Sequence, residues 1–221
     1  MRMKRLLTGV LSAALLGATP LALTATSAEA KTTVATVITG KINKKKAEKG
    51  ATVWISGNVD TVTGGMASPV GKLVIRRKLA GQSSYKTVYT DERPGSFFYK
   101  FKAKRSARYQ IQYLGGSSKN YTYTPSSANV KSKVTRKLKV NTRIGSLVVK
   151  GKVKPKFKKK KFVVQVKSGK WKKWKKVKTN KKSRYRVKLR GNRKGIKYRF
   201  VVPASKGFVK TVSPVITARR Y

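Results

Sequence analysis

Lysine is the residue whose type and spacing could do chemistry in this chain. The densest run, "KVKPKFKKKKF" at 152–162, holds Lys152, Lys154, Lys156, Lys158, Lys159, Lys160 and Lys161. A second cluster, "SGKWKKWKKVKT" at 168–179, sets Lys170, Lys172, Lys173, Lys175 and Lys176 around Trp171 and Trp174. A third alternates along one segment: Arg184, Arg186, Lys188 and Arg190. Cations at this density attract phosphate and carboxylate through many contacts, with little selectivity and steep salt dependence. Trp171 and Trp174 would stack on a base, a sugar or a lipid interface where exposed, and are core where buried. Burial of at least one is expected. A solvated basic surface with no ligand is the rival reading of all three clusters.

Other chemistry finds few residues to carry it. The chain has no cysteine and no histidine, so the usual nucleophile–base pairs are missing. Asp91 and Glu92 are the only adjacent carboxylates, and "TDERPGS" around them reads as a solvated turn. Too few carboxylates remain to ring a cation. "LAGQS" and "YLGGSS" read as hairpin turns and not as phosphate-cradling loops. No enzyme activity, cofactor or metal is therefore expected.

The charge balance is extreme, with 56 Lys+Arg against 5 Asp+Glu and a net charge of +51. From Arg93 to the C-terminus no acidic side chain occurs. Such a chain repels itself and attracts polyanions. Residues 1–30 have the three-part layout of a secretory signal peptide: Arg2, Lys4 and Arg5, then an apolar stretch, then Ala28-Glu29-Ala30 as an A-x-A cleavage site. Removing them leaves +49. An exported chain without cysteines must rely on its packed cores. High charge alone would suggest disorder, but apolar residues make up 39% and fall in short alternating runs. That favours a folded β protein.

The elements that must hold these cations show in an internal repeat. "ATVWISGNV" (51–59) matches "GSLVVKGKV" (145–153), with Val53, Ile55, Gly57 and Val59 falling on Leu147, Val149, Gly151 and Val153. "KLVIRRKLAGQSSYKTVYT" (72–90) then falls on 161–179, so that Tyr85 meets Trp174 and Val88 meets Val177. "RYQIQYL" (108–114) falls on 197–203. Within the copies, apolar residues alternate. Tyr185, Val187 and Leu189 share one face and Tyr198, Phe200 and Val202 another, as do Phe97, Tyr99 and Phe101. That is the two-residue period of strands. Short strands separated by turns at this spacing indicate a sandwich.

The repeat decides how the tryptophan-rich run is read. Trp171, Trp174 and Val177 recur every three residues, as on a helix, but the matching stretch "AGQSSYKTVYT" has no helical pattern. The run is expected to be a hairpin turn at Ser168-Gly169-Lys170 followed by a strand with lysines facing water. Trp174 and Val177 have opposite parity, which requires a bulge or one outward side chain. The run 152–161 is read as a loop between the second and third strands of the second copy.

The stretch 148–214, with its Gly-x-Val strand, "SGKW" hairpin, "VKT", aromatic strand, "YRFVVPA" strand and closing "SP", resembles the tandem bacterial Ig-like domains of exported proteins. The first copy carries a looser version. The resemblance implies two Ig-like β-sandwiches, residues 31–134 and 135–221, and a structural, adhesive or binding role. Lysine at turn positions where Asp or Gly is usual weakens any expectation of calcium. Tyr109 and Tyr198 fall where a tyrosine corner lies in such sandwiches, or are ordinary core aromatics.

The expected function is a secreted, non-enzymatic protein, non-covalently associated with the cell envelope, as no LPxTG-type anchor is found. Its partners would be anionic polymers: teichoic-type polymers, acidic polysaccharide, anionic lipid headgroups or DNA. Rival readings are extracellular nucleic-acid binding, membrane disruption by the tryptophan run, an enzyme's accessory module, and a structural spacer without a specific ligand.

Overall fold

Residues 30–64, 69–143 and 145–220 are described by the structure, a computed structural model. The expected signal peptide lies outside these residues apart from Ala30. Every regular element among them is a strand. The first half contains β1 (Thr32–Val34), β2 (Thr36–Ile42), β3 (Lys46–Glu48), β4 (Thr52–Thr61), β5 (Leu73–Leu79), β6 (Lys86–Asp91), β7 (Ser96–Lys102), β8 (Ala107–Tyr113), β9 (Gly116–Ser117), β10 (Tyr121–Tyr123) and β11 (Ser126–Thr135). The second half contains β12 (Lys137–Asn141), β13 (Val148–Lys154), β14 (Lys161–Ser168), β15 (Lys170–Lys178), β16 (Arg184–Lys188), β17 (Ile196–Val202), β18 (Thr211–Val212) and β19 (Ile216–Ala218).

Each half is a two-sheet sandwich threaded the same way. In the second half the chain lays down β12 and β13, crosses to form β14 and β15, returns for β16, and crosses again for β17, β18 and β19. The sheets are β12-β13-β16 and β15-β14-β17-β18, with β19 also paired to β17. The first half repeats the path with β2-β4-β7 facing β3-β11-β8-β5-β6. This is the Greek-key connectivity of Ig-like sandwiches. The small sheet β1-β10-β9 is an addition to the first half. Alternation supplies both cores. Ile55, Leu73, Ile75, Tyr109, Ile111 and Tyr113 fill the first. Val149, Val153, Phe162, Val164, Tyr185, Phe200 and Val202 fill the second.

Gly57 and Gly151 show why the copies share a glycine. Each lies opposite an aromatic residue, Phe97 or Tyr185. A Cβ on Gly57 would meet the Thr39 carbonyl and the Phe97 ring at 2.8 Å. One on Gly151 would meet the Lys139 carbonyl oxygen at 2.2 Å and the Tyr185 ring at 2.5 Å. The ring lies across the bare backbone, which only glycine allows.

The hairpin expectation for the tryptophan run is met, with a corrected pairing. β14 and β15 are joined at Gly169, whose φ of 61° suits glycine. A bulge interrupts their ladder: Val164 pairs with Lys175 but Gln165 pairs with Lys173, leaving Trp174 as the extra residue. The first copy has the same bulge, since Ile75 pairs with Tyr89 and Arg76 with Thr87, leaving Val88. Val88 is thus the counterpart of Trp174. Tyr85, the expected counterpart, lies in the β5–β6 connection beneath the Lys78 ammonium, 5.0 Å from its ring centroid. The reason is loop length. Residues 80–85 join β5 to β6, where a single residue joins β14 to β15. The bulge also resolves the parity conflict, because Val177 is buried opposite Phe162 while Trp174 turns toward the same core.

The two sandwiches belong to one compact unit, Lys31–Tyr221. A third small core joins them, in which Phe208 from the β17–β18 connection is buried with Ala47, Val53, Ala103 and Val134. Backbone bonds run from Ser106 N–H to the Gly207 carbonyl (2.9 Å) and from Val209 N–H to the Val134 carbonyl (2.9 Å). Arg136 is 1% exposed at this junction. Its guanidinium donates to the carbonyls of Pro155 (3.0 Å) and Ser205 (3.1 Å) and to the Ser205 hydroxyl. It stands 4.4 Å from the Phe208 ring centroid and 5.2 Å from that of Phe157.

Candidate anion-binding face

Strand register gathers the cations of β12, β13 and β16 onto one surface. Same-face residues alternate along each strand, and the pairing aligns them across the sheet. Lys137 pairs with Lys154 and Lys139 with Lys152. Lys152 pairs in turn with Arg184, and Lys150 with Arg186. Lys188 lies at the end of the array, opposite Val148. Asn141, opposite Lys150, and Val148 are the uncharged positions. The other faces of these strands carry Leu138, Val149, Val153, Tyr185 and Val187, which make the core. The same alternation that packs the sandwich therefore drives every cation outward.

Like charges directly opposite each other across a ladder repel, at Cβ separations of about 5 Å. Within this array Lys137 alone is in a described ion pair, with Glu48 at 3.4 Å. The array forms a groove of about 590 Å³, walled by Lys139, Lys150, Lys152, Arg184 and Arg186, with Lys178 at its side. Gly151 lines its base, with the buried Tyr185 ring beneath it. The Tyr185 hydroxyl donates to the Lys139 carbonyl at 3.0 Å, and burial pushes its pKa well above the usual range.

The structure redistributes the three clusters expected from sequence. Lys152 and Lys154 are not in a loop but on β13, and Lys161 is on β14. The strands run further because Val153 and Phe162 are both core residues. Only Lys156, Lys158, Lys159 and Lys160 form the connecting loop. That loop is anchored by buried Phe157, whose N–H donates to the Ser183 hydroxyl (2.9 Å) and whose carbonyl accepts from the Thr179 hydroxyl. Lys152 and Lys154 instead join Arg184, Arg186 and Lys188. Lys170, Lys172, Lys173, Lys175 and Lys176 line β15, in the opposite sheet. Arg190 lies beyond β16, and its carbonyl accepts from the Tyr198 hydroxyl at 3.1 Å. That bond makes Tyr198 a tyrosine corner. Tyr109 differs: burial pushes its hydroxyl up, against the pull of nearby Arg77.

Lys137, Lys139 and Lys150 were missing from the sequence-based clusters, although their two-residue spacing within "KLKVN" and "VVKGKVK" was a readable signal. Trp171 and Trp174 are both half-buried, and Trp174 packs against the second core, so the expected burial of at least one is only partial. Trp174 packs on Tyr198 with ring centroids 5.1 Å apart. Trp171 has the Arg199 guanidinium 4.3 Å over its ring, held by a bond from Arg199 Nε to Gln165 Oε1 at 2.7 Å. Asp91 and Glu92 are held in structural contacts. Asp91 accepts from the Tyr89 hydroxyl (2.8 Å) and the Arg93 N–H (3.0 Å), and Glu92 pairs with Lys72 at 2.8 Å. Among the described residues no group of three metal-ligating side chains occurs, and no helix is long and apolar enough to cross a membrane.

No family model and no curated protein matches the chain. Among solved structures it is similar to the human OSCAR ligand-binding domain, at 11% identity and a TM-score of 0.28 over 83% of this chain and 97% of that one. It is also similar to Tp47, the 47-kilodalton lipoprotein of Treponema pallidum, at 11% identity and a TM-score of 0.29 over 80% of this chain and 50% of that one. The fold assignment rests on the strand order and register above.

Proposed function

We propose that this is an exported, non-enzymatic protein of the tandem bacterial Ig-like kind that holds anionic polymers of the cell envelope or matrix on the outer face of β12-β13-β16. One observation carries the reading: cations stand opposite cations across three strands with almost no acid to offset them. A ladder built this way is less stable than one with mixed charges. Phosphates or carboxylates laid on the face relieve that repulsion and release counterions. The lysines of the 156–160 loop and of β15 add long-range attraction, which is more strongly screened by salt.

The test is binding to purified Gram-positive cell envelope and to duplex DNA across a salt series. It compares the wild-type chain with a variant carrying Lys150→Gln, Lys152→Gln, Arg184→Gln and Arg186→Gln. The wild type is expected to retain envelope binding near physiological salt better than DNA binding, and the variant to lose most of it. Parallel loss of both polymers with salt would reduce the charge to a generic attraction. Absence of binding by the wild type at physiological salt would make the protein a spacer.

A further inference from the structure

Resting on that reading, we propose that the face takes one extended chain of a polyol phosphodiester, laid along β13 with successive phosphates over Lys150, Lys152 and Lys154. Same-face residues two apart on a strand lie about 6.7 Å from each other. Three carbons and two ester oxygens between successive phosphorus atoms span about 7 Å when extended, from ordinary single-bond lengths. Charge spacing on the strand and on the polymer therefore agree. The flanking strands sit about 4.8 Å to either side. They place Lys139 and Arg184 beside Lys152, and Arg186 beside Lys150. The phosphates over Lys150 and Lys152 each meet a lateral cation as well, while the one over Lys154 lies beside Lys137, which is also paired with Glu48. The arginine forks present paired N–H groups to phosphate oxygens.

Other polyanions fit less well. Inorganic polyphosphate crowds its charges at about half the spacing of the lysines. A polysaccharide with one carboxylate per disaccharide spreads them too far. A single nucleic-acid strand shares the three-carbon repeat, but its bases gain most from aromatic platforms. The face has none: Tyr185 is buried beneath Gly151, and Trp171 and Trp174 belong to the opposite sheet. The polyol polymer is therefore the better match.

Calorimetric titration of the full chain tests this. The probes are poly(glycerol phosphate), inorganic polyphosphate, hyaluronan and oligothymidylate of equal total charge, each at several salt concentrations. Poly(glycerol phosphate) is expected to bind tightest. Lys150→Gln with Lys154→Gln is expected to weaken it about tenfold and to flatten its log–log salt dependence by about 1.4, two phosphate contacts' worth. Lys173→Gln with Lys176→Gln on β15 removes the same charge and is expected to change affinity less than about twofold. Equal affinity for all polymers, with the β13 variant still weakened, would overturn the spacing argument and leave the anion-binding face standing. Equal losses in the two variants would overturn both. Tighter binding of oligothymidylate would overturn the polyol assignment in favour of nucleic acid.

Discussion

Arg136 and Gly151 are the residues on which the second sandwich is most exposed to damage. Among the described residues Arg136 is a buried cation without a carboxylate in an ion pair; carbonyl oxygens and two aromatic faces take that place. Burial lowers its pKa from the usual arginine value. Removing its side chain leaves the Pro155 and Ser205 carbonyls without their donor and opens a cavity. Arg136→Ala is expected to destabilise the protein by about 2–4 kcal/mol, read as a drop in the chemical-denaturation midpoint. Gly151→Ala drives a methyl into the Lys139 carbonyl and the Tyr185 ring. It is expected to cost about 1–3 kcal/mol and to weaken polyanion binding, because β12 must move away from β13. Unchanged stability together with unchanged binding would show that the ring does not lie over that glycine.

At the scale of elements, two strands and one connection matter most. β15 is an edge strand, and its lysines oppose the pairing with other chains that a flat open edge invites. β13 is the central strand of its sheet, bonded to β12 and β16, so its lysines sit on a rigid platform. The β17–β18 connection inserts Phe208 between the sandwiches. Phe208→Ala is expected to cost about 3–5 kcal/mol at the junction, which is where the two halves should first come apart. Limited proteolysis between residues 134 and 137 checks this: the variant should be cut there at protease levels the wild type survives. Identical digestion patterns would mean that Phe208 does not hold the halves together.

For the whole molecule, charge and tyrosine burial set the response to solution conditions. Burial raises the hydroxyl pKa of Tyr109, Tyr185 and Tyr198 above the ordinary value of 10.0, and that of Tyr113 to about 12. In the unfolded chain these groups would ionise near 10.0. Raised folded values mean that their stabilising contribution is complete below that pH and is lost as pH climbs toward the folded values. Part of the tyrosinate absorbance is therefore expected to appear only together with loss of the β-sheet circular dichroism signal, above pH 10. All tyrosines titrating near 10 with the sheet signal intact would contradict it.

Sequence by itself determined the all-β class, the doubled unit and the outward lysines. A period of two admits no other packing: once Tyr185 and Val187 face the core, Arg184, Arg186 and Lys188 must face water. Gly57 and Gly151 were legible as a matched pair for the same local reason. Register was not legible, because it depends on which strands become neighbours. The bulge at Trp174 could be anticipated from parity, but its counterpart is Val88 and not Tyr85, since two hairpin loops of different length shift the alignment without altering the core. Tertiary structure alone decided that Lys137 and Lys139, far from Arg184 in the chain, share a surface with it. It alone decided that Phe208 and Arg136 close the junction. Cross-strand pairing and burial between halves are long-range contacts, and no local pattern of residue types encodes them.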